Sequence, residues 1–118
     1  MSLLIKKILN KIKNMQTETI TNENGTAIKF GDGTMICYGT ATNSSSGYVA
    51  VYYPAEFIDI PYSQQATIRY NSYTSQNPIY SIVQAGDGLT YIYCKKMDGT
   101  AETNTSIRIN WLVIGRWK

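Results

Sequence analysis

The chain has 118 residues, two cysteines, no histidine and a formal net charge of +3, a length that holds one domain of about 100 residues plus a short appendage. Without histidine there is no Ser-His-Asp or Cys-His arrangement and no imidazole ligand, and two distant cysteines make no ordinary zinc site, so neither metal nor cofactor is expected. Four of the eleven bases, Lys6, Lys7, Lys11 and Lys13, precede the first acid, Glu18; the other seven face eight acids, which leaves the body near −1 and without the basic patch of a nucleic-acid binder.

Residues 1–16 read as an N-terminal oligomerisation and anchoring helix. Ile5, Ile8, Ile12 and Met15 are spaced three, four and three apart and fill positions a, d, a and d of a coiled-coil seam. Isoleucine at both a and d favours three or four strands over two. Ser2 is placed to cap the helix at Leu3. The lysines fall on b, c and g, away from the seam, while Leu4 and Leu9 widen the apolar face. Two heptads are marginal alone in water, so the body must help the association or the stalk must continue in another protein. The rival reading, a cationic helix lying on a membrane, lacks a Trp or Phe anchor. The lysines interrupt any signal-peptide core, and no apolar run reaches the ~18 residues of a membrane span.

Residues 17–25 are polar and read as a linker, and residues 26–118 as a β-sandwich knob. Alternation predicts strands over 26–30 and 34–40, joined by the Gly31-Asp32-Gly33 turn. Further strands are expected over 48–53, stopped by Pro54, and over 65–71, 79–84, 89–95 and 106–114. Gly86-Asp87-Gly88 turns the fifth of these seven into the sixth. Pro54 and Pro61 bound a bend. In the last strand Ile107, Ile109, Trp111 and Val113 share one face, and Leu112 and Ile114 make the other face apolar. About seven strands with turn signals roughly every ten residues fit an all-β antiparallel sandwich. Cys37 and Cys94 lie inside strand-like runs and read as two buried free thiols, with a disulfide the alternative.

The chemistry points to binding rather than reaction. No phosphate-binding glycine loop is present. The Asp-Gly pairs at Asp32, Asp87 and Asp98 lack the oxygen ladder of a calcium loop and read as turn formers. A glycosidase needs two carboxylates on one sugar ring. Glu56 and Asp59 lie at the proline bend, Asp98 and Glu102 in a polar loop, and neither pair is well fixed, so no enzymatic activity is expected. Residues 70–77 have the composition of a paratope, with Tyr70 and Tyr73 offering rigid amphipathic rings and Asn71 and Asn77 adaptable hydrogen bonds. Together with Asp98 and Glu102 they are the candidate glycan ligands. Trp111 is a candidate for core or inter-subunit packing, and Trp117 for capping the sandwich or packing on a neighbouring subunit.

The segments GTAIKFGDGTMICYG (Gly25 to Gly39) and INWLVIGRWK (Ile109 to Lys118) resemble the C-terminal domains of tail-fibre and minor structural proteins of phages that infect Gram-positive hosts. The middle of the chain is similar to H-type lectin sandwiches, through Tyr53-Pro54-Ala55-Glu56-Phe57, Pro61 and Asn110-Trp111-Leu112. The resemblance implies a trimeric antiparallel β-sandwich on a virion assembled in the host cytoplasm. It also implies a sugar site in loops near subunit boundaries. Of the lectin loop that carries Trp and His, only Asp98 has a counterpart here.

These readings converge on a homotrimeric fibre or spike protein, zipped through Ile5, Ile8, Ile12, Met15 and Trp111. The helix would contact other virion proteins and the knob a host-surface polysaccharide. A non-binding structural part, such as a tail-tip cap or capsid decoration, is the alternative.

Overall fold

The computed structural model describes residues 2–15, 17–69, 79–86 and 88–118, with only the backbone of residues 12–15. Helix α1 (Leu3–Met15) leads into eight strands among the described residues: β1 (Thr17–Asn22), β2 (Gly25–Phe30), β3 (Thr34–Thr42), β4 (Tyr48–Tyr52), β5 (Ser63–Arg69), β6 (Ile79–Ala85), β7 (Leu89–Lys96) and β8 (Arg108–Arg116). One sheet runs in the order β1-β2-β3-β8-β5 and the other β4-β7-β6. Every neighbouring pair is antiparallel. The all-β antiparallel sandwich expected from the strand spacing is the observed architecture.

The core follows from period-two patterning. In β8, Ile109, Trp111 and Val113 are each 4% exposed or less, while Asn110 between them points outward. Their partners across the ladder are Ala41, Gly39 and Cys37 of β3. Val51, Ile92 and Cys94 close the core from the other sheet. Each full-size aliphatic buried this way contributes about 1.5–3 kcal/mol. The indole of Trp111 fits because two facing positions are glycine. A Cβ on Gly39 would stand 2.8 Å from the ring, and one on Gly25 3.1 Å. Cys37 and Cys94 are buried and free. Loss of solvent pushes the Cys37 thiol up to about 11 and raises that of Cys94.

Two turns match their sequence signals. Asp32 Oδ1 accepts from the Thr34 amide at 2.9 Å, closing the turn from β2 to β3. That bond, with the Thr34 side chain and the Arg116 guanidinium, holds the Asp32 carboxyl below the usual carboxylate range. The Ser2 hydroxyl accepts from the Ile5 amide at 3.2 Å, the expected N-cap of α1. The bend after β4 is fixed, not loose. The rings of Tyr53 and Phe57 meet edge to face at 5.1 Å. Phe57 covers Gly115, and the Ile58 amide donates to the Arg116 carbonyl at 2.9 Å.

The expected linker over 17–25 is corrected: Thr17–Asn22 is a strand, paired with β2 along its full length. Four of its six residues are β-branched, and Ile20, opposite Ala27, packs against the core. An edge strand needs only that single apolar anchor, and its exposed polar positions give it the composition of a linker. The last strand runs Arg108–Arg116 and not 106–114, because its ladder with β3 starts at the Thr42–Arg108 pair and continues to Thr34–Arg116. Strand β5 begins at Ser63, two residues ahead of the expected 65–71, and positions 70 and 71 lie outside the described residues. On α1, Leu4 is 68% exposed and Ile5 and Ile8 are each 49% exposed, so nothing among the described residues covers the apolar face. Among the described residues no helix is long and apolar enough to cross a membrane.

Candidate functional site

The registers divide the larger sheet into two ends. Thr17 pairs with Phe30, Thr34 with Arg116 and Ser63 with Ile114, and this is where α1 joins. At the other end Asn22 pairs with Gly25, Thr42 with Arg108 and Arg69 with Arg108. Of the loops picked out by composition, the one between β7 and β8 enters β8 at this far end. Tyr70, Asn71, Tyr73 and Asn77 lie outside the described residues, but their flanks, Arg69 and Ile79, end strands there.

The second loop, between β7 and β8, is held by Asn43. This residue is 2% exposed, and its Nδ2 donates to the carbonyls of Glu102 (2.8 Å) and Asn104 (3.1 Å). Its own amide donates to the Ile107 carbonyl at 2.9 Å. Asn43 stands beside three serines and carries no signal in the sequence. Asp98 is fully exposed, yet its Oδ1 accepts from both the hydroxyl (2.6 Å) and the amide (3.0 Å) of Thr100. These bonds pull its pKa down. Glu102 Oε1 accepts from the Asn104 amide at 3.1 Å. Both candidate carboxylates therefore shape their own turns, for Asp98 the turn-forming role its Asp-Gly pair suggests. Trp111, a candidate for subunit packing, lies in the core of its own chain at 4% exposure. Ile5 and Ile8 are exposed on α1, while the side chains of Ile12 and Met15 fall outside the described set.

A groove of about 570 Å³ opens on the outer face of the larger sheet, towards the far end. Two cross-strand rows make its floor. One runs Thr26, Tyr38, Leu112, Gln65 and the other Thr40, Asn110, Thr67. Tyr38 is 44% exposed, so one ring is open to solvent there. The turn between β1 and β2 forms a wall, with Asn22 fixed by donating from Nδ2 to the Pro54 carbonyl at 2.9 Å. No motif marks this groove, because its floor comes from four strands that meet only through non-local pairing.

The smaller sheet also presents rings outward. Tyr48 and Tyr93 are cross-strand partners with centroids 5.6 Å apart, and Tyr91 lies 6.4 Å from Tyr48. The Lys95 ammonium sits 6.0 Å over the Tyr93 ring. Aromatic faces bordered by amides and hydroxyls suit reversible recognition of polar ligands.

No curated protein matches the chain. Residues 29–116, from β2 to the end of β8, match the family model described as "Putative tail fiber protein gp53-like, C-terminal". The two-sheet sandwich with its closing strand is thus nearly all inside the match, and the chain belongs to this gp53-like family of phage tail fibre proteins, which makes it a virion component.

Proposed function

We propose that three copies of this chain form a fibre or spike that attaches the virion reversibly to a glycan on the host surface. In this reading α1 joins the copies through Leu4, Ile5, Ile8 and Leu9 and connects them to other virion proteins. The observation that carries it is polarity along the molecule. The exposed apolar helix leaves one end, while the polar loops and the groove lie towards the other. A 13-residue helix with an uncovered apolar stripe needs partners to be stable. Three weak sites on one stalk gain avidity without any new contact. The likeness to H-type lectins supports the same ligand class, with Asp98 the loop residue carried over.

The test has two arms. Native mass spectrometry of the full chain should give a trimer, and removal of residues 1–15 should weaken it. A host-polysaccharide array probed with the trimer should show binding that is lost when the protein is made monomeric. A monomer at micromolar concentration would refute the assembly, and a trimer that binds no wall polymer would refute attachment. That second result would support a purely structural virion part. This alternative draws on the engagement of Asp98 and Glu102 in their own turns, which leaves fewer open acceptors on that loop.

A further inference from the structure

We infer that the groove on the outer face of the larger sheet is a binding site for an uncharged saccharide, a mono- or disaccharide unit of a neutral glycan. The inference rests on the attachment reading and names a ligand class and a place that the loops alone do not give.

Size comes first. About 570 Å³ falls within the roughly 300–1,000 Å³ of small-ligand pockets. The chemistry of the surface comes next. Tyr38 offers a half-open ring beside Leu112, a flat apolar platform for the C–H face of a pyranose. Beside it the row Thr40, Asn110, Thr67 sets a hydroxyl, an amide and a hydroxyl at the roughly 4.8 Å spacing of adjacent strands. All three are exposed, and among the described residues none of these side chains hydrogen-bonds to the protein. Each can donate and accept, which is what a ring of hydroxyls needs. The platform and the polar row lie on the same face, one residue pair apart along β3 and β8. A sugar lying on Tyr38 therefore has its edge over Asn110.

Charge selects among glycans. Among the described residues that line the groove, Glu23 is the only charged one, and no lysine or arginine lines it. Phosphate-containing and uronic polymers meet that carboxylate, and the nearest bases on this face, Arg69 and Arg108, stand one row beyond Thr67 and Asn110 and outside the lining. A neutral polyol meets no such penalty, and Glu23 can accept from its hydroxyls. A purely apolar cover from a second copy would leave Thr40, Asn110 and Thr67 unpaired.

The experiment uses the full chain in saturation-transfer NMR and calorimetric titration. The neutral probes are maltose, lactose and N,N′-diacetylchitobiose, and the anionic ones are digalacturonate and a short glycerol-phosphate oligomer. At least one neutral probe should bind saturably and the anionic ones should not. Tyr38→Ala and Asn110→Ala, both at exposed positions, should each weaken that binding about tenfold or more with the melting temperature retained. Binding of anionic probes alone, no binding of any probe, or undiminished binding in both variants overturns the inference. A lower native mass for Tyr38→Ala would show that a second copy occupies this face, and overturns it too. Failure here is separable from failure of the attachment reading. Intact protein that still adheres to host walls after both substitutions keeps attachment and moves the site elsewhere. Protein that adheres to nothing loses both.

Discussion

Gly39→Ala tests the central packing of the sandwich. Gly39 faces Trp111 across the β3–β8 ladder, and an added Cβ would lie 2.8 Å from Cζ2 and 3.0 Å from Cε2 of the indole. Residue 39 is not among the glycines with positive φ, so backbone strain contributes nothing and the effect is steric. The ring has little room to retreat. It is 4% exposed, and the same Cζ2 is also approached by Gly25, where a Cβ would stand 3.1 Å away. Overpacking of this kind costs about 1–3 kcal/mol, and the stiffer unfolded chain offsets about 0.4–1 kcal/mol of that. A net loss of about 1–2 kcal/mol follows. With about 2.1 cal/mol/K of unfolding entropy per residue over 118 residues, the melting temperature should fall by about 4–8 °C. Circular-dichroism melts at fixed protein concentration read this directly. Pairing the change with Trp111→Phe should give less than the sum of the two single effects, because the smaller ring vacates the clash. An unchanged or higher melting temperature for Gly39→Ala, or strict additivity in the pair, would refute the steric account.

Stability should decline at alkaline pH. Burial holds the Cys37 thiol near 11 against 9.0 for a free thiol, and it raises Tyr53 and Cys94 in the same sense. The unfolded chain therefore loses these protons first, so the contribution is complete below pH 9 and is lost as pH rises towards 11. Urea midpoints should drop across that window, less steeply in Cys37→Ala, and a flat profile would contradict the burial. Asn43→Ala deprives the carbonyls of Glu102 and Asn104 of their donor and should cost about 1–3 kcal/mol. Amide exchange should rise more in residues 97–106 than in β8, and equal protection in both would show that Asn43 does not hold the loop. Tyr53→Phe removes the hydroxyl 2.5 Å from Thr90 Oγ1 and should cost about 0.5–1.5 kcal/mol by chemical denaturation, with no cost expected only if that bond is not formed.

Most of the sandwich was legible because local signals and global structure agree. Glycine-aspartate-glycine turns between alternating runs specified two hairpins, and alternation through Ile109, Trp111 and Val113 specified which face of β8 goes inward. β1 was hidden because an edge strand with one inward side chain, Ile20, has the same polar composition as a tether. The division into sheets of five and three strands was not legible either. β8 pairs with β3 and β5, far away in sequence, and nothing local encodes that choice. The groove shares this property, since Tyr38, Gln65 and Asn110 become neighbours only through those pairings. Composition did mark the far-end loop, and the geometry adds that Asp98 and Glu102 bond within their own turns. The buried amide of Asn43, in a run of serines, offered no signal at all.

β1 leads straight on from the helix and is paired over all six of its residues with β2. Its hydrogen bonds lie across the strand direction. Under the proposed attachment, with the helix anchored and the far end held, the load would run along β1 and shear those bonds together, where a peeling geometry would break them singly. On that reading the edge hairpin would be a mechanical splice, and its rupture force would set how hard the helix could be pulled before it tears from the sandwich.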